Sequence, residues 1–149
     1  MKVEQFNLLP NGFDLLADEA ESNGHYFLKK MQEDWLERRN LFDRPGEALF
    51  AVIDEAGMLI GVGGLNVDPY SENSKVGRVR HVYISKRFQK TGLGKLILHR
   101  ILEHAKGRFD LLRLRTHNPE AVSFYLSLGF ELDKSQNDPT HFYFIKKLF

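Results

Sequence analysis

A chain of 149 residues with 42% hydrophobic residues, 12 Phe among them, has the size of one ordinary domain and enough apolar material to fill a core. A formal net charge of +1 excludes the large basic excess of a general nucleic-acid binder. The lack of cysteine excludes disulfides, thiolate metal sites and a cysteine nucleophile.

The longest apolar run, Ala48 to Ile53, is far below the ~20 residues of a membrane span. Lys2, Glu4 and Asp14 interrupt the region where a leader would need an apolar stretch. The expectation is a soluble, cytoplasmic single domain over residues 1–149, with no metal, no membrane and no nucleic-acid partner. Charge is unevenly placed: residues 1–74 carry 6 Lys and Arg against 14 Asp and Glu, and residues 75–149 carry 15 against 6. A basic half suits a polyanionic ligand and an acidic half a cationic one, unless packing interleaves the halves.

In chain order, residues 3–9 read as a first strand stopped by the turn signal Pro10-Asn11-Gly12. Residues 13–22 and 25–39 read as two helices parted by Asn23-Gly24. Leu28, Met31, Trp35 and Leu36 place one apolar face on the second helix, with Trp35 able to line a substrate site. Ala48 to Asp54 and Leu59 to Val67 form a hairpin around Glu55-Ala56-Gly57. Gly61, Gly63 and Gly64 in its second strand mark a close approach to the backbone.

After a polar loop, Asp68 to Lys75, a strand spans Gly77 to Ser85. A helix follows over Gly92 to Lys106, with Leu93, Leu96, Ile97, Ile101 and Leu102 on its apolar face. Leu111 to Thr116 is a strand. Pro119 to Leu128 is a helix, with Asn118 as N-cap, Pro119 at its first position and Gly129 at its stop. Phe130 to Leu132 and His141 to Leu148 close the chain as strands. The order β-αα-βββ-α-β-α-ββ defines an α/β domain with a mixed sheet.

The segment Tyr83 to Lys95 runs from strand through a glycine turn into a helix. That arrangement suits phosphate, because the first helical N–H groups lack intrahelical partners and lie at the positive end of the helix dipole. Gly92 and Gly94 bare the backbone, and Lys86, Arg87, Lys90 and Lys95 add positive charge. The plain alternative is an ordinary strand-to-helix turn. A Walker loop is excluded by Gln89 and by Leu96 after Gly94-Lys95, and a dinucleotide fingerprint by Ile97.

The pattern Gln89-x-x-Gly92-x-Gly94, preceded by Val82-x-Ile84, resembles motif A of the GNAT superfamily of N-acetyltransferases. Asn118 to Phe130, with its Asn, Ala, Tyr and Gly-Phe, resembles motif B of the same family at the right distance downstream. The resemblance implies the GNAT fold, a mostly antiparallel mixed sheet flanked by helices. It implies transfer of an acetyl group from acetyl-CoA to an amine without a covalent enzyme intermediate. Homodimers are common in that family. By the same resemblance, Val82, Tyr83 and Ile84 would meet pantetheine, with an N–H near Val82 polarising the thioester carbonyl. Backbone N–H groups of Gln89, Lys90, Thr91, Gly92, Leu93, Gly94 and Lys95 would bind the pyrophosphate. Asn118 would help hold the cofactor arm, and Tyr125 would be the general acid that protonates the leaving thiolate.

The base is not given by the resemblance. Histone-type relatives carry a base Glu at the position of Arg78, and ribosomal-protein relatives one at the position of Arg113; arginine cannot act as a base at ordinary pH. His81, His117, Asp68 and Glu72 remain, beside deprotonation through water. Asp18, Glu19, Glu21, Glu33, Asp34 and Glu37 would favour a cationic amine or form a solvated helix face. A non-catalytic acetyl-CoA-binding or sensing domain is the alternative function.

Overall fold

The computed structural model describes residues 1–134 and 140–145. The elements are β1 (Lys2–Phe6), α1 (Phe13–Ser22), α2 (Phe27–Leu36), β2 (Ala48–Ile53), β3 (Leu59–Val67) and β4 (Val76–Ile84), then a 3-10 turn (Lys86–Phe88), α3 (Leu93–Ala105), β5 (Leu111–Leu114), α4 (Pro119–Ser127), β6 (Glu131–Leu132) and β7 (His141–Phe144). This is the expected order with one short turn added. Of the expected loop and final strand, residues 135–139 and 146–148 lie outside the described residues.

Several boundaries move for local reasons. β1 ends at Phe6, opposite Leu49, because its partner β2 starts at Ala48 and leaves residues 7–9 nothing to pair with. α1 closes at the asparagine-glycine signal: Gly24 takes φ +87°, while His25 N–H bonds the Ala20 carbonyl at 2.8 Å and Gly24 N–H that of Glu21 at 3.0 Å. α2 closes the same way without a glycine. Arg38 adopts φ +61°, and Arg39 N–H reaches back to the Asp34 carbonyl at 2.7 Å. The expected extension to residue 39 therefore fails, because no residue type announces the stop. β5 stops at Leu114, whose carbonyl accepts from Thr140 N–H.

The helix stripes also need correction. Leu28 and Met31 are buried, but Leu36 is 73% exposed, and Asp34 turns inward to ion pairs with Lys30 and Arg39. On α3 the buried face is Leu93, Ile97, Leu98, Ile101 and Ala105, while Leu96 is half exposed.

The sheet order is β1-β2-β3-β4-β5-β7-β6, with β4 and β5 parallel and every other pairing antiparallel. Alternation divides the core in two. Ala48, Phe50 and Val52 join α3 on one face; Leu49 and Ala51 join α1 and α2 on the other. β2 and β3 are covered on both faces, so they read as near-continuous apolar runs.

The β3 glycines do mark close approaches, but the approaching groups are the protein's own. A Cβ on Gly61 would lie 2.6 Å from Ile84 Cδ1, on Gly63 2.5 Å from Ile97 Cγ2, and on Gly64 2.5 Å from Phe42 Cε1. Gly63 lets α3 press onto one face of the sheet and Gly64 lets Phe42 press onto the other.

Gly63→Ala should therefore lower unfolding stability by about 1–3 kcal/mol through overpacking. Adding Ile97→Leu, which removes the Cγ2 methyl that the new Cβ would strike, should recover part of that loss in a denaturant titration, because the contact is mutual.

Candidate active site

β4 and β5 pair only at Val76–Leu111, Gly77–Leu112 and Arg78–Arg113. Beyond Arg78, β4 continues to Ile84 bonded to β3 alone. At the opening, β4 bulges: Arg80 pairs with Gly64 and Tyr83 with Val62, so His81 and Val82 face only Gly63. His81 takes φ +59° to make the bulge, a conformation uncommon for a side chain larger than glycine. The phase is then set. Ser85 N–H points to β3, where it meets the Ile60 carbonyl at 2.7 Å. By strand alternation the peptide groups of Val82 and Ile84 point the other way, into the split, and those of Tyr83 toward β3. The Ile84 carbonyl already accepts from Gln89 Nε2 at 2.9 Å.

That bond folds the next turn back against the strand. Gln89 N–H is also engaged, with the Lys86 carbonyl at 3.3 Å. From Lys90 through Lys95 no backbone N–H has a partner among the described residues. Lys90 at φ +63° and Gly92 at φ +92° take left-handed backbone between extended Gln89 and the start of α3, a turn in which successive N–H groups can converge on an anion. Nothing lies within 4 Å of where a Gly92 Cβ would project. The Thr91 hydroxyl pins the turn to the Phe88 carbonyl. The free run thus begins one residue later than the sequence suggests, with Gln89 as the brace and Lys90 to Lys95 as the open face.

Asn118 Oδ1 caps α4, accepting from Glu120 N–H at 2.9 Å and Ala121 N–H at 3.4 Å. α4 carries Phe124 against Gly94, 3.4 Å from a Cβ placed there, so it packs over the turn. Tyr125 is 8% exposed, with its ring between Phe124 and Phe130. Burial alone, with no hydrogen bond contributing, pushes the pKa of its hydroxyl above the usual phenol value.

The acetyltransferase (GNAT) family model matches residues 12–130. The chain belongs to that family. A proposed acetyltransferase from Exiguobacterium sp. 255-15 superposes with a TM-score of 0.84 at 26% identity, over 96% of this chain and 92% of that one. A GNAT-family N-acetyltransferase from Escherichia coli, solved with CoA, shares the fold at a TM-score of 0.71 and 12% identity, over 97% and 81%. The N-alpha-acetyltransferase RimI of Mycobacterium tuberculosis is 29% identical over 82 residues, 50% of this chain and 47% of that protein. The match therefore spans about half the length of this curated relative.

For a GNAT chain, the residues considered as bases are placed as follows. Asp68 is buried, with Oδ1 accepting from Arg78 Nε at 3.0 Å and Oδ2 lying 3.5 Å from Arg113 Nη1. Arg78, 4% exposed, also stacks on Tyr70 at 4.7 Å. The two arginines that stand where relatives carry a base Glu thus share one carboxylate at the mouth of the split. Glu72 and His117 are exposed. His81 is half-buried between Phe27 and Phe42, and burial, with Arg80 beside it, pushes its pKa down to about 3. It is neutral at pH 7 and a weak proton acceptor.

Glu19 acquires a role that no local pattern announces, because its partners are more than 60 residues away. From α1 it accepts from the Tyr83 hydroxyl at 2.6 Å, the Ser85 hydroxyl at 2.7 Å and Lys86 N–H at 3.2 Å. This locks α1 to the strand beside the turn. Burial would raise the Glu19 pKa, but these hydrogen bonds outweigh it and lower the value overall. Burial and the bond to Glu19 push Tyr83 up to about 12.

Of the other expected acidic groups, Glu21 is exposed and four are engaged. Asp18 pairs with Lys29, Asp34 with Lys30 and Arg39, Glu37 with Arg39, and Glu33 accepts from Tyr26.

The signs fix the pH dependence. His81, His104 and His141 are all depressed by burial, so the unfolded chain binds more protons than the native one below the free-histidine range. Stability should fall as pH drops through about 6.5, and the His81 contribution continues to be lost until about pH 3. Glu19 adds a loss of the same sign below the ordinary carboxylate range. Urea titrations between pH 7 and pH 5 should show a shallower slope for His81→Leu than for the parent chain.

Proposed function

We propose that the chain is an N-acetyltransferase that moves the acetyl group of acetyl-CoA directly onto an amine, with residues 1–149 acting as one catalytic domain. The observation that carries this reading is the open N–H run from Lys90 to Lys95, adjoining a strand edge that has lost its partner. The run offers donors and positive dipole to a pyrophosphate. The edge at Val82 and Ile84 offers an extended arm the hydrogen bonds that β5 does not make.

In this reading each residue has a task. The Val82 peptide N–H, aimed into the split by the His81 bulge, donates to the thioester carbonyl oxygen as negative charge develops there. Such a donor is worth about 2.7–4 kcal/mol in comparable sites. Tyr125 gives its phenolic proton to the departing sulfur; a raised pKa keeps that proton in place at neutral pH until a strongly basic thiolate forms beside it. Asn118 fixes the start of α4 and so the reach of Tyr125. His81 shapes the bulge and the acceptor wall with Phe27 and Phe42. The attacking amine loses its proton to water, because Asp68 is held by two guanidinium groups and His81 is too weak a base.

The deciding experiment is a screen of amines with acetyl-CoA, reading CoA release. Release with a subset of amines supports the enzyme. Tight acetyl-CoA binding with no release from any amine would instead favour a sensing domain.

Two substitutions test the assignments. Gly92→Glu should abolish acetyl-CoA binding in calorimetry while Gly92→Ala, which shares the φ strain but brings no carboxylate, retains most of it; equal affinities would contradict the pyrophosphate cradle. Tyr125→Phe should lower kcat about 10²–10⁴-fold, as loss of a general acid does. Its acetyl-CoA affinity and melting temperature should stay close to those of the parent chain, because the hydroxyl holds nothing in place.

A further inference from the structure

We infer that the acceptor carries a carboxylate beside its amine, an amino-acid-like small molecule, and that Arg113 together with Arg80 recognises that carboxylate at the mouth of the β4–β5 split. The inference rests on the acetyltransferase reading and names the substrate class for it.

The placement comes from the register. Arg78 and Arg113 are the last paired residues before the strands part. Arg80 stands one pleat beyond Arg78 on the same face, since Arg80 precedes the bulge. Its partner Gly64 directs its missing Cβ at Phe42, which identifies this face as the α1–α2 side, away from α3. Leu112 and Leu114 pack on the α3 side, so Arg113 also faces the α1–α2 side. Arginines from both strands therefore flank the opening on the α1–α2 face.

They are not equally committed. Asp68 Oδ1 already accepts from Arg78 Nε and from Tyr70 N–H. Arg113 has only the 3.5 Å ion contact to Asp68 Oδ2 and no hydrogen bond among the described residues, and its side chain is 21% exposed. Arg80, half-buried, makes neither a hydrogen bond nor an ion pair among them. Asp68 orients Arg113 without satisfying its fork of donors, which matches a carboxylate in geometry and charge.

Three acids of α1, α2 and the start of β2 are already occupied. Glu19 is held by Tyr83 and Ser85, Asp34 by Lys30 and Arg39, and Glu47 by Asn66, Val67 N–H and Arg44 N–H. Next to Arg80, the half-buried rings of His81 and Phe27 lie together and offer an apolar side to an amino acid's carbon skeleton, with Phe42 packed behind His81.

The test uses the full chain with acetyl-CoA, reading CoA release for each common amino acid against its carboxamide, with spermidine as a carboxylate-free amine. At least one amino acid should exceed its carboxamide and spermidine in kcat/KM by about tenfold or more, the scale of one charge-assisted hydrogen bond. Arg113→Gln should erase that preference by raising KM for the acid, with kcat and the acetyl-CoA KM little changed. Arg113→Lys should keep part of it, and Arg80→Gln should weaken it if Arg113→Gln does not fold. Carboxamides or spermidine serving as well as the acids would overturn the inference while leaving acetyl transfer intact. Melting temperatures of the CoA-saturated protein make the same comparison without turnover. A rise with the acid that is lost in Arg113→Gln supports the inference, and no rise with any amino acid overturns it even where CoA release is nil.

Discussion

Past Arg78 and Arg113 the parallel strands β4 and β5 stop bonding to each other, and β4 runs on with only β3 beside it. Backbone donors and acceptors cannot remain both buried and unpaired at acceptable cost. The fold keeps this edge open, and the surrounding features answer to it. The β3 glycines let Ile97 and Phe42 seat tightly on opposite faces of the strand beside β4. The bulge at His81 sets which peptide groups look into the gap. Gln89 caps the Ile84 carbonyl and swings the chain round so that the free N–H run of the turn continues the line of the open edge. On the proposed reading, the strand edge and the helix start, each short of partners, serve one extended ligand that carries a pyrophosphate.

Much of this was legible in the sequence because local chemistry dictates it. Asn118-Pro119 announces a helix start and Gly24 a helix stop, since the preferences of those residues are intrinsic. The turn at Gln89 to Lys95 was legible for the same reason. The bulge was not, because a histidine at positive φ is held there by neighbours from α2 and β3 rather than by its own preference. The end of α2 was hidden likewise: Arg38 takes the place that glycine usually marks. Leu36 and Leu96 fit an apolar stripe at helical spacing yet face solvent, because burial depends on what the helix meets.

Charge illustrates the same boundary between local and tertiary information. The acidic first half suggested a cationic acceptor, but Asp18, Glu19, Asp34 and Glu37 are bound by partners on α2, in the turn after it and on β4. The arginines standing where relatives place a base were legible as departures. Their shared carboxylate was not, since Asp68 joins them only when the sheet assembles. The carboxylate at the mouth of the split, Asp68, lies between two guanidinium groups, which is why we infer an anion as the group bound there.

The central claim is that the open edge and the turn form one ligand surface. Amide hydrogen exchange read residue by residue, with and without CoA, tests it most directly. The N–H groups of Val82, Ile84 and Lys90 to Lys95 should gain protection together, while Gln89, already bonded to Lys86, changes little. Protection confined to other parts of the sheet, or none at Lys90 to Lys95 under saturating CoA, would contradict the account.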